Sequence, residues 1–137
     1  MPHELKESPE MVQLAVNASS RDELFRDALT GILEAAYGAP PPEGASEGRA
    51  VPIQAAGDDD GVLLAHLAED ALRAAREEAG TLQPPKWLAF DVNRVTANLP
   101  VHTLHSRARP LEFLRATVGS GGEGWNARLE FLPSRAD

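Results

Sequence analysis

The sequence predicts an α+β fold in which two helices pack on a mostly antiparallel sheet, in the order β-α-β-α-β-β-β-β. Three observations predict it. Apolar residues recur at three- and four-residue spacing in two places, Ser20–Tyr37 and Asp60–Glu78. They alternate with polar residues in Met11–Val16 and most cleanly in Trp125–Leu132. After the second helical stretch only strand-like segments follow, which confines the helices to one layer on the sheet.

Residues 1–9 are charged and carry two prolines, and read as a flexible N-terminal arm. Val12, Leu14 and Val16 then mark one face of a half-buried strand, and Asn17-Ala18-Ser19 makes the turn out of it. Ser20 precedes Glu23 by three residues. This spacing predicts a capping box, in which Ser20 accepts from the amide of Glu23 and Glu23 reaches back to the amide of Ser20. Leu24, Phe25, Ala28, Leu29, Ile32, Leu33 and Ala36 form the apolar stripe of that helix, and Gly38 stands where a left-handed C-cap is expected. Residues 38–48 have the Gly-Pro composition of an exposed loop. Pro52 interrupts the short run Arg49–Ala55, which marks an edge strand or a strand end.

Asp58-Asp59-Asp60 opens the second helix. Its buried stripe is Leu63, Leu64, Leu67, Ala68, Ala71, Leu72 and Ala75, with His66, Glu69, Asp70, Arg73, Arg76 and Glu77 outside. Gly80 ends it, and Pro84-Pro85 prevent a restart. Leu88, Phe90 and Val92 alternate, after which the phase shifts by one to Val95, Ala97, Leu99 and Val101, predicting a turn or bulge near Asn93-Arg94. Residues 102–110 read as a polar, basic loop. Leu111–Val118 is a further strand, and Gly119 to Gly124 connects it to the last one.

The 137 residues amount to a single domain with room for a real core. No apolar run reaches the ~18 residues that span a bilayer, and the first residues do not form a signal peptide, so the expected address is the cytoplasm. With no cysteine, thiolate catalysis, disulfides and cysteine-ligated zinc are excluded. The net charge of −8 is uneven: residues 1–80 hold 16 acids and 6 bases, for −10, while residues 81–137 hold 5 acids and 7 bases, for +2. An acidic helical half disfavours direct nucleic-acid binding, where phosphates demand Lys and Arg, and suits a basic protein partner.

Four clusters offer chemistry, and each has a plain structural reading beside it. Asp58-Asp59-Asp60 could bind a hard cation, but adjacent carboxylates do not converge, and acids at a helix start cap it. His102 and His105 lack a third zinc ligand. His66, Glu69 and Asp70 resemble half of a carboxylate-histidine metal face, with no matching histidine on the other helix. Arg94, Arg107, Arg109, Arg115 and Arg128 form at most a weak phosphate-binding patch, with no aromatics interleaved to stack bases. No phosphate-binding glycine loop or nucleophile elbow is present, so the residues point to no enzyme.

From about Glu10 to Leu132 the chain resembles archease, the small acidic protein that assists the RtcB-type tRNA-splicing RNA ligase. Ser20-Arg-Asp-Glu-Leu-Phe25 stands for the family's Ser-Leu-Glu-Glu-Ala-Phe, and the second helix begins, as theirs does, with acids and a leucine pair. Arg115-Ala-Thr-Val118 stands for Lys-Ala-Val-Thr, and Trp125 precedes an alternating run as in their last strand. The family's His-Thr-Ala-Asp becomes Ser8-Pro-Glu-Met11, or with a one-residue shift ends on Glu10; the aspartate closing their last strand falls on Leu132. In archeases those two acids hold a divalent metal. The resemblance therefore implies Glu10 as substitute for the first metal ligand and Asp137, with its terminal carboxylate, for the second, which requires Pro133 to Ala136 to fold back. It implies calcium, manganese or magnesium as the ion and an RNA ligase as the partner, whose guanylylation or turnover the protein promotes without being an enzyme itself. The other expectations are a diverged archease-fold binding module without metal and, less favoured, a stand-alone metal-dependent enzyme.

Overall fold

Val12, Leu14 and Val16 bury their branched side chains on one face of a strand, as their alternation requires. In the computed structural model this strand is the second of eight among the residues described, which are 3–38, 46–78, 80–85, 88–91, 93–102, 108–109, 111–121 and 124–133. The chain is α+β, with two helices packed on antiparallel sheets.

The segment read as an arm contains β1 (His3–Glu7), antiparallel to β2 (Val12–Ala18), with His3 beside Val16 and Glu7 beside Val12. Its Leu5 is partly buried against the core while Glu4 and Lys6 stay exposed, an alternation that the charge density of the segment hides. Ser8 closes the turn: its amide donates to the Met11 carbonyl at 2.9 Å and its hydroxyl oxygen accepts from the Met11 amide at 3.1 Å.

Helix α1 (Arg21–Tyr37) begins at Ser20, whose hydroxyl accepts from the Glu23 amide at 3.2 Å. The reciprocal half of the expected capping box is displaced by one residue, since the Glu23 carboxylate takes the amide and hydroxyl of Ser19 and not the amide of Ser20. Gly38 ends α1 with φ 74° and donates to Glu34 O at 2.8 Å, as a left-handed cap should. Helix α2 (Asp60–Glu77) is capped by Asp59, whose carboxylate accepts from Val62 N at 2.8 Å. It ends on Glu78 in extended backbone, so Gly80 is not the cap the sequence suggested. A Cβ at Gly80 would stand 2.4 Å from Val101 Cγ1, and that close approach is what requires glycine there.

The remaining strands are β3 (Ser46–Ala56), β4 (Thr81–Leu82), β5 (Ala89–Phe90), β6 (Arg94–His102), β7 (Leu111–Gly121) and β8 (Gly124–Pro133). β3 starts inside the segment read as an exposed loop, and residues 39–45 of that loop lie outside the described residues. The strands divide into two sheets, ordered β1-β2-β8-β7 and β3-β6-β4, with β5 also on β6. Pro52 does lie on an edge strand, because among the described residues β3 pairs with β6 alone. The phase shift near Asn93 is a turn: Asp91 N donates to Arg94 O at 2.7 Å in the β5–β6 hairpin. The bulge sits elsewhere, at Leu114. Phe113 opposes Phe131 and Arg115 opposes Glu130, so Leu114 is the extra residue, and it is exposed.

Helix α1 lies against β1, β2 and β8 and also against α2. Gly31 permits the contact with β2, since a Cβ there would meet Leu14 Cδ1 at 2.5 Å. The ends of α1 touch the second sheet. Phe25 meets Phe90 edge-to-face at 5.3 Å between centroids, and the Tyr37 hydroxyl accepts from Leu82 N at 3.1 Å. Helix α2 lies along both β3 and β7, joining the sheets through one core. No helix among the described residues is long and apolar enough to cross a membrane.

Candidate functional site

Glu10 occupies the tip of the β1–β2 hairpin and is exposed. The antiparallel ladder sets Val12 beside Phe131, so the end of β8 at Pro133 leaves the sheet next to the hairpin that carries Glu10. Asp137 lies outside the described residues. Among the described residues no three His, Asp or Glu side chains converge to hold a metal ion. Glu10 thus offers one carboxylate where a hard cation takes six or more oxygen ligands.

The aspartate run caps and braces. Asp59 caps α2, and Asp60 pairs with Arg21 at 2.8 Å, tying the starts of the two helices together. The Arg21 guanidinium also lies over the Phe90 ring, 4.9 Å from its centroid. His102 sits on β6 opposite Thr81, while His105 falls outside the described residues. Arg107 falls outside the described residues, and the other four arginines are divided among three places, with Arg128 on the outer face of β8 opposite Thr117. Arg94 belongs to the second sheet and Arg115 pairs with Glu130 at 2.8 Å on the first. Arg109 turns to the end of α1, donating from Nε to Ala35 O at 2.7 Å, and forms an ion pair with Glu7. That placement supplies a cation to the helix C-terminus, which has no basic residue in its own last turn.

The outer face of α2 is exposed as its spacing predicts, apart from the half-buried Asp70, and two of its residues, Asp70 and His66, also reach β3. The Asp70 carboxylate accepts from Gln54 N at 3.0 Å and from Arg73 Nε at 2.9 Å. His66 Nδ1 lies 2.6 Å from Ala56 O, and a carbonyl only accepts, so Nδ1 is the donor. Both contacts satisfy backbone groups on an edge strand that another strand would otherwise claim. The Asp70 hydrogen bond also raises the Arg73 guanidinium above its ordinary range. With Glu69, Arg76, Leu72, Glu112 and Phe113, these side chains line an open cleft of about 760 Å3 between β3, α2 and β7. Sequence spacing showed that His66, Glu69 and Asp70 share a face; it could not show that the face meets a strand edge.

No family model and no curated protein matches this chain.

A third polar cluster lies between β1 and α1. His3 Nε2 stands 3.5 Å from Glu34 Oε2, and His3 Nδ1 is buried without a partner. Asp27, on the same helix, is raised above the ordinary carboxyl range by burial and then by the nearby Glu23 charge. Chemically, the described residues offer polar and ionic recognition surfaces and one oriented imidazole.

Proposed function

We propose that this protein is a non-enzymatic accessory factor for an RNA ligase of the kind archeases assist, acting in the cytoplasm through contact with the ligase itself. The observation that carries the reading is the pairing of β2 with β8, which brings the Glu10 hairpin beside the end of the last strand, where the family resemblance calls for two metal-holding acids. Glu10 would supply one ligand to calcium, manganese or magnesium, and Asp137 the other. A bound divalent ion would add positive charge and oxygen-coordinating capacity at that end of the sheet. The acidic half of the chain, at −10 over residues 1–80, suits a basic, RNA-binding enzyme as partner.

A second reading is a protein-binding module on the same fold with neither metal nor ligase. The exposure of Glu10 on a hairpin tip favours it. The two readings part in a multiple-turnover ligation assay with the RNA ligase of the same organism, manganese and GTP. The accessory reading expects stimulation beyond one turnover, largely lost in Glu10→Ala. Full stimulation by Glu10→Ala would remove the metal from the proposal, and no stimulation by the folded wild type would leave the binding module.

A further inference from the structure

We propose that the free edge of β1 is a self-association surface, on which a second copy of this chain pairs its own β1 antiparallel about a two-fold axis through Leu5. β1 ends the order β1-β2-β8-β7, and among the described residues it pairs with β2 alone, so one row of its backbone N–H and C=O groups has no described strand beside it. The edge of β3 is defended by Pro52 and by the side chains that α2 sends to Gln54 and Ala56. β1 has no such defence: it contains no proline, and its register with β2 runs without a bulge from His3 to Glu7.

Charge selects the partner. The strand reads His-Glu-Leu-Lys-Glu, and reversing it about Leu5 sets Glu4 and Lys6 each against its opposite. Glu4 faces Lys6 of the second copy on the outer side, and Lys6 faces Glu4. On the inner side Leu5 meets Leu5, while His3 meets Glu7. Glu4 and Lys6 are well exposed, with 68% and 73% of their side chains open, and are only loosely joined within one strand at 3.9 Å. Alternatives are rejected by the same charges. Sliding by two residues, the smallest step that keeps the sheet faces matched, puts Lys6 against Lys6 or Glu4 against Glu4. A parallel in-register pairing opposes Glu4, Lys6 and Glu7 each to its own kind. The antiparallel arrangement is isologous and closes at two copies, merging two four-stranded sheets into one of eight.

Sedimentation equilibrium on the full chain at low salt tests this, with circular dichroism confirming that each variant is folded. The mass should rise with concentration from 14.7 kDa toward twice that value and stop there. Lys6→Glu sets carboxylates against each other at both symmetric positions and should weaken the dimer about tenfold or more. Adding Glu4→Lys restores complementarity in the opposite sense and should return the dissociation constant to within about threefold of the original. A chain that stays monomeric at ~1 mM, a Lys6→Glu variant that dimerises as well as the original, or a double variant that fails to recover would each overturn the proposal.

Discussion

The two sheets of this protein are held together by different means. In the first, β2 pairs with β8 without interruption from Val12 beside Phe131 to Ala18 beside Trp125, and β7 continues the ladder over Leu111–Gly121, broken once by the bulge at Leu114. In the second, β6 is flanked on one side by β3 and on the other by two strands of only two residues each. The second sheet also contains Pro52 and Pro100 and a register shift between Ser46 and Ala50. Much of its closure comes from side chains of the helices: Tyr37 on Leu82, Phe25 on Phe90, Asp70 on Gln54 and His66 on Ala56. A backbone ladder holds the first sheet, whereas the second depends on helices that stay docked, so a loosened helix should release the second sheet before the first.

The largest effect is expected where α1 presses on the first sheet. Leu14→Ala should cost about 2–5 kcal/mol in urea unfolding, because Leu14 is fully buried and the helix above it leaves little room to collapse. Gly31→Ala alone should also destabilise, since its methyl would overlap Leu14 Cδ1. Combined, the two substitutions should cost less than their sum by about 1 kcal/mol, as the methyl fills the space vacated. Strict additivity would show that Gly31 is not there for the close approach. A smaller loss, about 1 kcal/mol, is expected for Asp59→Ala, which uncaps α2. Hydrogen exchange should then quicken at the Gln54 amide in β3 more than at amides of β2, which is paired on both sides. Equal acceleration in both strands would erase the distinction between the sheets.

The smallest effect concerns Asp27. Burial raises its pKa, so the folded state favours the protonated carboxyl; stability is fully present below the ordinary Asp range near ~3.9 and is lost as pH rises through the raised value. Asp27→Asn should therefore increase the Tm at neutral pH, with the gain vanishing toward acid. A gain that persists undiminished at pH ~3 would assign the effect to something other than ionisation.

The parts of the fold that follow a local period were legible in the sequence. Both helices, the Ser20, Gly38 and aspartate caps, the inward faces of β2, β6 and β8, and the edge position of Pro52 all rest on spacing within about a dozen residues. The partition into two sheets did not show, because pairing joins residues far apart in sequence. β4 and β5 are too short to carry a period at all. β1 escaped notice because His, Glu and Lys alternate with a single leucine, which reads as charge before it reads as a strand. At the candidate sites the residues were legible and their surroundings were not. His66 and Asp70 were found by helical spacing, but only the edge of β3 explains what they do; Glu10 was singled out by resemblance, and its nearness to the end of β8 needed the ladder.

That ladder has a kinetic side. Gln13 on β2 hydrogen-bonds to Glu130 on β8, 117 residues further along. A nascent chain must therefore carry β2 with an unpaired flank until the last strand has left the ribosome. The hairpin of β5 and β6, by contrast, can close while synthesis continues. The half of the molecule with the more regular ladder is thus the half that must assemble last.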